Sequence, residues 1–152
     1  MISNYNLFMK QIETDNTINL MSRINERANR FILAELEKRE ITDIAPSHGA
    51  VLAALFRDSE LTMSEIAQRV NRDRSTVTNS VNKLIDSGYL ATMKNAQDSR
   101  STLVFLTPKG RELEPAFFQI SQSLAMLEYQ GISAEEREIF RKVLERIYMN
   151  FS

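Results

Sequence analysis

"TMSEIAQRVNRDRSTVTNSVNKLIDSGYL", residues 62 to 90, decides the fold. Thr62 with Glu65 three residues on is a capping box, and Ile66, Ala67 and Val70 then fall on one helical face. Asn71 follows at once, a residue type that tolerates the left-handed conformation in which many helices end. Two residues later Asp73 can cap a second helix, whose Val77, Val81, Leu84 and Ile85 form an inward stripe. Two helices joined by a turn of about three residues make a helix-turn-helix. At 100° per residue from Val77, the residues Ser75, Asn79, Asn82 and Lys83 fall on the outer side. Ser, Thr and Asn near a helix start can reach base edges in a major groove, and Arg74 and Lys83 can neutralise phosphates. Taken alone, such a face is better explained by contact with water.

The residues beyond the second helix favour the nucleic-acid reading. Gly88 sits where a helix closes, "YLATMK" (89 to 94) reads as a strand, and "TLVFLT" (102 to 107) as another. A hairpin built only to close a sheet would use a two-residue Asn-Gly or Asp-Gly turn. This one has a tip of about seven residues, carrying Asp98 and Arg100 with Lys94 at its edge. Such a tip suits a wing that reaches along DNA, where an arginine gains from the potential of a narrow minor groove. Asp98 can hold the Arg100 guanidinium in place.

Outward from this centre, the chain is mainly helical. Pro46 opens a short apolar helix, "SHGAVLAALF", that reads as the middle of the core. Ile18, Met21, Ile24, Ala28, Phe31 and Ile32 define a long amphipathic helix over residues 16 to 39, with Asp15 as its cap. Before it, Tyr5, Phe8 and Ile12 have similar spacing in a segment too short to be stable without a surface to pack on. Thr107 and Pro108 start a helix towards Gly131 that Pro115 bends or delays. "SAEE" (133 to 136) is a further capping box. Behind it Ile139, Phe140, Val143, Leu144, Ile147, Tyr148 and Phe151 make the last helix apolar over a wide arc.

Composition bounds the function. With 152 residues, 43% apolar and 26% charged, the chain is about one soluble domain's worth, residues 1 to 152 as a single unit. Its lack of a long apolar run or a secretory leader points to the cytoplasm rather than a membrane. The absence of cysteine excludes disulfides, thiolate nucleophiles and cysteine-ligated metal. Net charge is only −1, but it is polarised. Residues 69 to 100 hold six cations and three anions, whereas 111 to 152 hold five cations and seven anions. No Gly-rich phosphate loop and no Ser-His-Asp grouping is present, and His48 is the single histidine, so no enzyme, metal or cofactor is expected.

The order of elements and the run from Asp98 through Arg100, Leu106 and Thr107 to Gly110 resemble the MarR family of bacterial winged-helix regulators. "RSTVTNSVNKLIDSGYL" resembles that family's recognition helix and "TMSEIAQRV" the helix before it, so the likeness spans roughly residues 16 to 150. It implies a mainly α fold with a small β-hairpin wing: a winged helix-turn-helix core over about 46–107, a helix-turn-helix over 62–87 and a wing over 89–107. Flanking helices over about 1–39 and 108–152 would interlock two subunits. A homodimer would set two recognition helices about 34 to 36 Å apart on a pseudo-palindromic operator in double-stranded DNA. The resemblance matches Ser75, Thr76 and Asn79 to positions that contact bases and Asp98 and Arg100 to the wing pair; together with Arg72, Arg74, Thr78, Asn82, Lys83 and Lys94 they make up the expected DNA-binding set. The resemblance implies a transcriptional repressor whose operator binding a small anionic aromatic ligand relieves. His48 could line the ligand cavity, although a lone histidine at a helix start is more often structural.

Two positions depart from the family pattern. Arg72 stands where an apolar residue is usual and offers a further phosphate contact; Gly49 stands where a large apolar one is and alters the packing around it. The competing expectation is a winged helix used for docking on proteins, which would leave the wing arginine unexplained.

Overall fold

The computed structural model describes residues 16–151 together with Asn4, Leu7 and Met9. The expectations for Tyr5, Phe8, Ile12 and the Asp15 cap fall outside those residues. Helix α1 spans Thr17–Glu37. A single 3-10 turn, Pro46–His48, leads into α2, Gly49–Arg57. After the short strand β1, Glu60–Thr62, come α3, Met63–Val70, and α4, Arg74–Asp86. Strands β2, Leu90–Lys94, and β3, Thr102–Leu106, form the hairpin. Helices α5, Pro108–Glu112, α6, Glu114–Glu128, and α7, Ala134–Asn150, complete the chain.

The local signals act as their chemistry requires. At the α3 start, Thr62 N–H donates to Glu65 Oε2 (2.7 Å) and Glu65 N–H donates back to Thr62 Oγ1 (3.2 Å). Asn71 adopts φ 50°, ψ 51°, and Arg72 N–H closes the turn on the Ala67 carbonyl at 3.1 Å. Gly88, at φ 78°, ends α4. Its N–H bonds to Ile85 O (2.8 Å) while Tyr89 N–H reaches Leu84 O (2.9 Å), the pair of bonds that turns the chain into β2. Pro115 marks a late start, because α5 and α6 are separated at Leu113.

The sheet holds one strand more than the hairpin. Its order is β1-β3-β2, antiparallel throughout, with Leu61 opposite Val104 and Thr92 opposite Val104 from the other side. Three residues are too few to show a period, and Thr62 reads first as a cap, so β1 leaves no signal in the sequence.

Leu52 and Leu55 from α2, Ile66 from α3, Val77, Val81 and Leu84 from α4, and Leu90 and Val104 from the sheet are all but sealed from solvent. Their burial fixes the rotation of α4 about its axis and so decides which side chains it presents. The glycine at 49 is filled from outside: a Cβ there would lie 3.6 Å from the Phe117 ring, which also packs on Phe56 with centroids 5.3 Å apart. Leu36 of α1 and Ile120 of α6 join the same core. In contrast, α7 has no buried residue: Phe140, Val143 and Tyr148 are exposed, and so is Phe151 just beyond its end, at 79%.

Candidate nucleic-acid interface

With Val77, Val81 and Leu84 turned inward, α4 leaves Arg74, Ser75, Thr76, Asn79, Asn82 and Lys83 exposed on its outer face. Arg72 stands exposed in the turn before it. Thr78 is half-buried, and its hydroxyl donates to the Arg74 carbonyl at 2.7 Å. Asp73 is the cap of the helix. Its Oδ1 accepts the Thr76 N–H (2.8 Å) and the Ser75 hydroxyl (2.5 Å), and its Oδ2 accepts the Thr76 hydroxyl (2.6 Å). Those bonds, the Ser75 and Thr76 hydroxyls first, hold the Asp73 carboxyl well below the usual carboxylate range. Among the described residues, no ion pair engages Arg72, Arg74, Lys83, Lys94 or Arg100, whereas the neighbouring Arg69 is paired with Asp58. The outer face therefore carries cations whose charge no carboxylate cancels.

The wing comes directly after α4 in the chain, with Lys94 at the end of β2 and residues 95–101 forming the tip. Here the structure differs from the sequence expectation. Asp98 does not hold the Arg100 guanidinium; its Oδ1 accepts the Arg100 backbone N–H at 3.0 Å, and the Asp98 carbonyl accepts the Ser101 N–H at 3.0 Å. An aspartate two residues before an N–H closes such a turn more readily than it reaches a long, solvated arginine head. Asn95 completes the tip: its Nδ2 donates to Ser101 Oγ (2.9 Å), and its Oδ1 accepts the Gln97 N–H (3.0 Å). The Arg100 side chain leaves this tied backbone exposed and makes no ion pair among the described residues.

A second cluster pins the wing to the end of α4, and sequence reasoning missed it. The Tyr89 hydroxyl donates to Asp43 Oδ1 at 2.6 Å, and burial together with that carboxylate pushes its pKa up to about 12. Lys109 Nζ lies 4.2 Å above the Tyr89 ring and donates to the Ser87 carbonyl at 2.7 Å. Thr107 Oγ1 donates to the Gly88 carbonyl (2.6 Å) and accepts the Gly110 N–H (3.1 Å). A Cβ on Gly110 would sit 2.1 Å from the Tyr89 carbonyl oxygen, so only glycine permits this approach. The Thr-Pro-Lys-Gly run thus has a physical reason, but Asp43 lies 46 residues from Tyr89 and has no local signal.

His48 has a different place from the one the ligand expectation gave it. It is 6% exposed, and its Nδ1 accepts the Ala45 N–H at 3.2 Å, which satisfies a backbone donor at the start of the turn that leads into α2. Burial, and then the Lys83 charge, push its pKa below the ordinary value of 6.5. Two of the clefts among the described residues lie elsewhere. One, of about 400 Å³, lies between α1 and the helix-turn-helix and includes Asn25, Asn29, Arg72 and Thr76. The other, of about 380 Å³, lies between α2 and α6 and is walled by Phe56, Phe117 and Phe118, with Arg57 and Glu114 at its rim.

A capped helix presenting polar and cationic side chains, a tight turn before it and a tethered hairpin after it define a winged helix DNA-binding protein. Residues 44–110 match the winged helix DNA-binding domain family. The chain is 30% identical over 111 residues to the HTH-type transcriptional regulator YdgJ of Bacillus subtilis, covering 73% of this chain and 68% of YdgJ. Its fold is similar to that of the PcaV transcriptional regulator of Streptomyces coelicolor, solved with its natural ligand (TM-score 0.77, 21% identity, 91% of this chain and 98% of that one). It is similar also to a mutant MarR of E. coli complexed with operator DNA (TM-score 0.75, 21% identity, 89% and 95%). The chain belongs to the MarR family of winged helix transcriptional regulators, and it is a regulator rather than an enzyme.

Proposed function

We propose that the protein is a homodimeric repressor, acting in the cytoplasm on a pseudo-palindromic operator, and that a small anionic aromatic ligand releases it. The observation that carries the DNA contact is the outer face of α4. Ser75, Thr76, Asn79 and Asn82 supply base-edge contacts there, with Thr78 supporting them from its half-buried position. Arg72, Arg74 and Lys83 supply unpaired charge for phosphates. Lys94, Asp98 and Arg100 extend the contact through the wing, with Asp98 shaping the tip and Arg100 entering the minor groove.

Dimerisation is supported by the apolar surface of the terminal helices, where Ile18 and Ile24 of α1 and Ile139, Phe140 and Tyr148 of α7 are about half exposed or more. The ligand is supported by the α2–α6 cleft, whose three phenylalanine rings suit an aromatic body and whose Arg57 suits an anion. His48, buried and bonded to the Ala45 N–H, does not line that cleft.

The experiment is selection of bound sequences from a random DNA pool by the full-length protein, followed by fluorescence anisotropy on the enriched site and on scrambled DNA. A two-fold-related site, bound far more tightly than scrambled DNA and with affinity falling as salt rises, is expected. No enrichment and no salt dependence would favour a protein-docking module instead.

A further inference from the structure

The start of α4 carries three hydroxyls, and none of their protons is free. The Asp73 carboxylate can only accept, so the 2.5 Å contact from Ser75 Oγ and the 2.6 Å contact from Thr76 Oγ1 each require the hydroxyl to donate. Thr78 Oγ1 donates in the same way to the Arg74 carbonyl at 2.7 Å. A hydroxyl has one proton and two lone pairs. With its proton committed to a neighbour, it offers the solvent side acceptors alone. Ser75 and Thr76 are exposed, so those lone pairs face whatever approaches the helix start, which in a helix-turn-helix is the base edges of the major groove.

We infer that Asp73 sets the reading polarity of Ser75 and Thr76, so that the start of the recognition helix selects a base with an exocyclic amino group, cytosine or adenine. This rests on the proposed DNA-binding function and narrows it. Guanine O6 and N7, thymine O4 and phosphate oxygens are acceptors, and a hydroxyl must surrender its bond to Asp73 to meet any of them. That bond is charge-assisted and stronger than the neutral contact that would replace it. Only cytosine N4 and adenine N6 bring a proton of their own. Donors on the same face then come from the Asn79 and Asn82 amides and from the cations, not from the hydroxyls. Asp73 is in this sense a positioning residue: it acts on the bases through two neighbours.

The test begins from the operator selected by the full-length protein. Within one half-site each adenine is replaced by purine riboside and each cytosine by pyrimidin-2-one, which lack the amino group. In a parallel series each purine is replaced by its 7-deaza analogue. Affinities are measured for the unaltered protein, Ser75→Ala and Thr76→Ala. At one position, loss of the amino group should weaken the unaltered protein about tenfold and one alanine variant scarcely at all. The 7-deaza change at that position should affect all three proteins alike. Coupling of either hydroxyl to N7, or to neither group, overturns the inference. Asp73→Asn provides a second arm, because its amide can no longer accept from both hydroxyls. Random-pool selection with that variant should change the same position to guanine or thymine and keep the rest of the site; an unchanged base overturns the inference. If the unaltered protein enriches no sequence at all, it is the DNA-binding function that has failed.

Discussion

At the scale of the residue, the wing shows how a side chain can be placed correctly for a reason other than the one its sequence suggests. The sequence suggests Asp98 and Arg100 as a charge pair, yet Asp98 accepts the Arg100 backbone N–H at 3.0 Å and leaves the guanidinium exposed. The spacing Asp-x-Arg suits both arrangements, and only the turn geometry distinguishes them. The consequence for binding is ordered. Arg100→Ala removes a cation and should weaken operator binding and lower the slope of log affinity against log salt by about one unit per subunit. Asp98→Ala keeps that cation on a looser tip, so its loss should be smaller and its salt slope unchanged. Anisotropy titrations at several salt concentrations would check both. Tighter binding by Asp98→Ala would mean that the turn is not needed and that only its negative charge matters to DNA.

At the scale of the element, the sequence was most legible where one residue type does one job next to its own helix. The Thr62 and Ser133 boxes, the Asn71 turn, the Asp73 cap and the break before Pro115 all rest on neighbours within about four residues, and all are present. What escaped depends on distant partners. Strand β1 exists because Leu61 finds Val104, and Tyr89 is anchored by Asp43 across the fold. His48 belongs to the same class: its place at the start of a buried helix was readable, but the Lys83 charge that acts on it from 35 residues away was not. The burial of His48 gives a pH dependence. Folding favours the neutral form of His48, while the unfolded chain protonates near the ordinary value of 6.5. A lowered pKa contributes stability above about 6.5 that is lost as pH falls towards the folded value. The shifted carboxyls Glu35, Glu65, Glu136 and Glu138 start from 4.5, so they act at lower pH. Urea unfolding between about pH 7.5 and 5 should therefore show a decline due mainly to His48. His48→Gln keeps an acceptor for the Ala45 N–H and cannot titrate, so it should flatten that decline; an equally steep one would assign it to other groups.

At the scale of the whole molecule, the chain divides its apolar surface unequally. The residues matched by the winged helix domain, 44–110, hold most of the sealed core, while α7 has no fully buried residue: Leu144 and Ile147 are half-buried, and Ile139, Phe140, Val143 and Tyr148, with Phe151 just beyond its end, are exposed. Burying such surface, at about 25 cal/mol for each Å², is what a partner subunit would supply, and a lone protomer leaves it in contact with water. The net charge of −1 is likewise divided unequally along the chain, with an excess of cations over residues 69 to 100 and an excess of anions over residues 111 to 152. If two copies interlock through α1 and α7, light scattering at micromolar concentration should give twice the chain mass of 17.5 kDa. Removing residues 139–152 should then yield monomers or aggregates, with circular dichroism still showing the helices of the remaining fold. Operator affinity should fall in the truncated protein by far more than affinity for scrambled DNA, because the two half-sites would no longer be read together and the chelate advantage of a dimer would be lost. The Ser75, Thr76 and Asn79 face is untouched by that deletion, so residual half-site preference should survive it. A full-length protein that is soluble, monomeric and fully active on its operator would overturn the dimer and would require the exposed face of α7 to have another occupant.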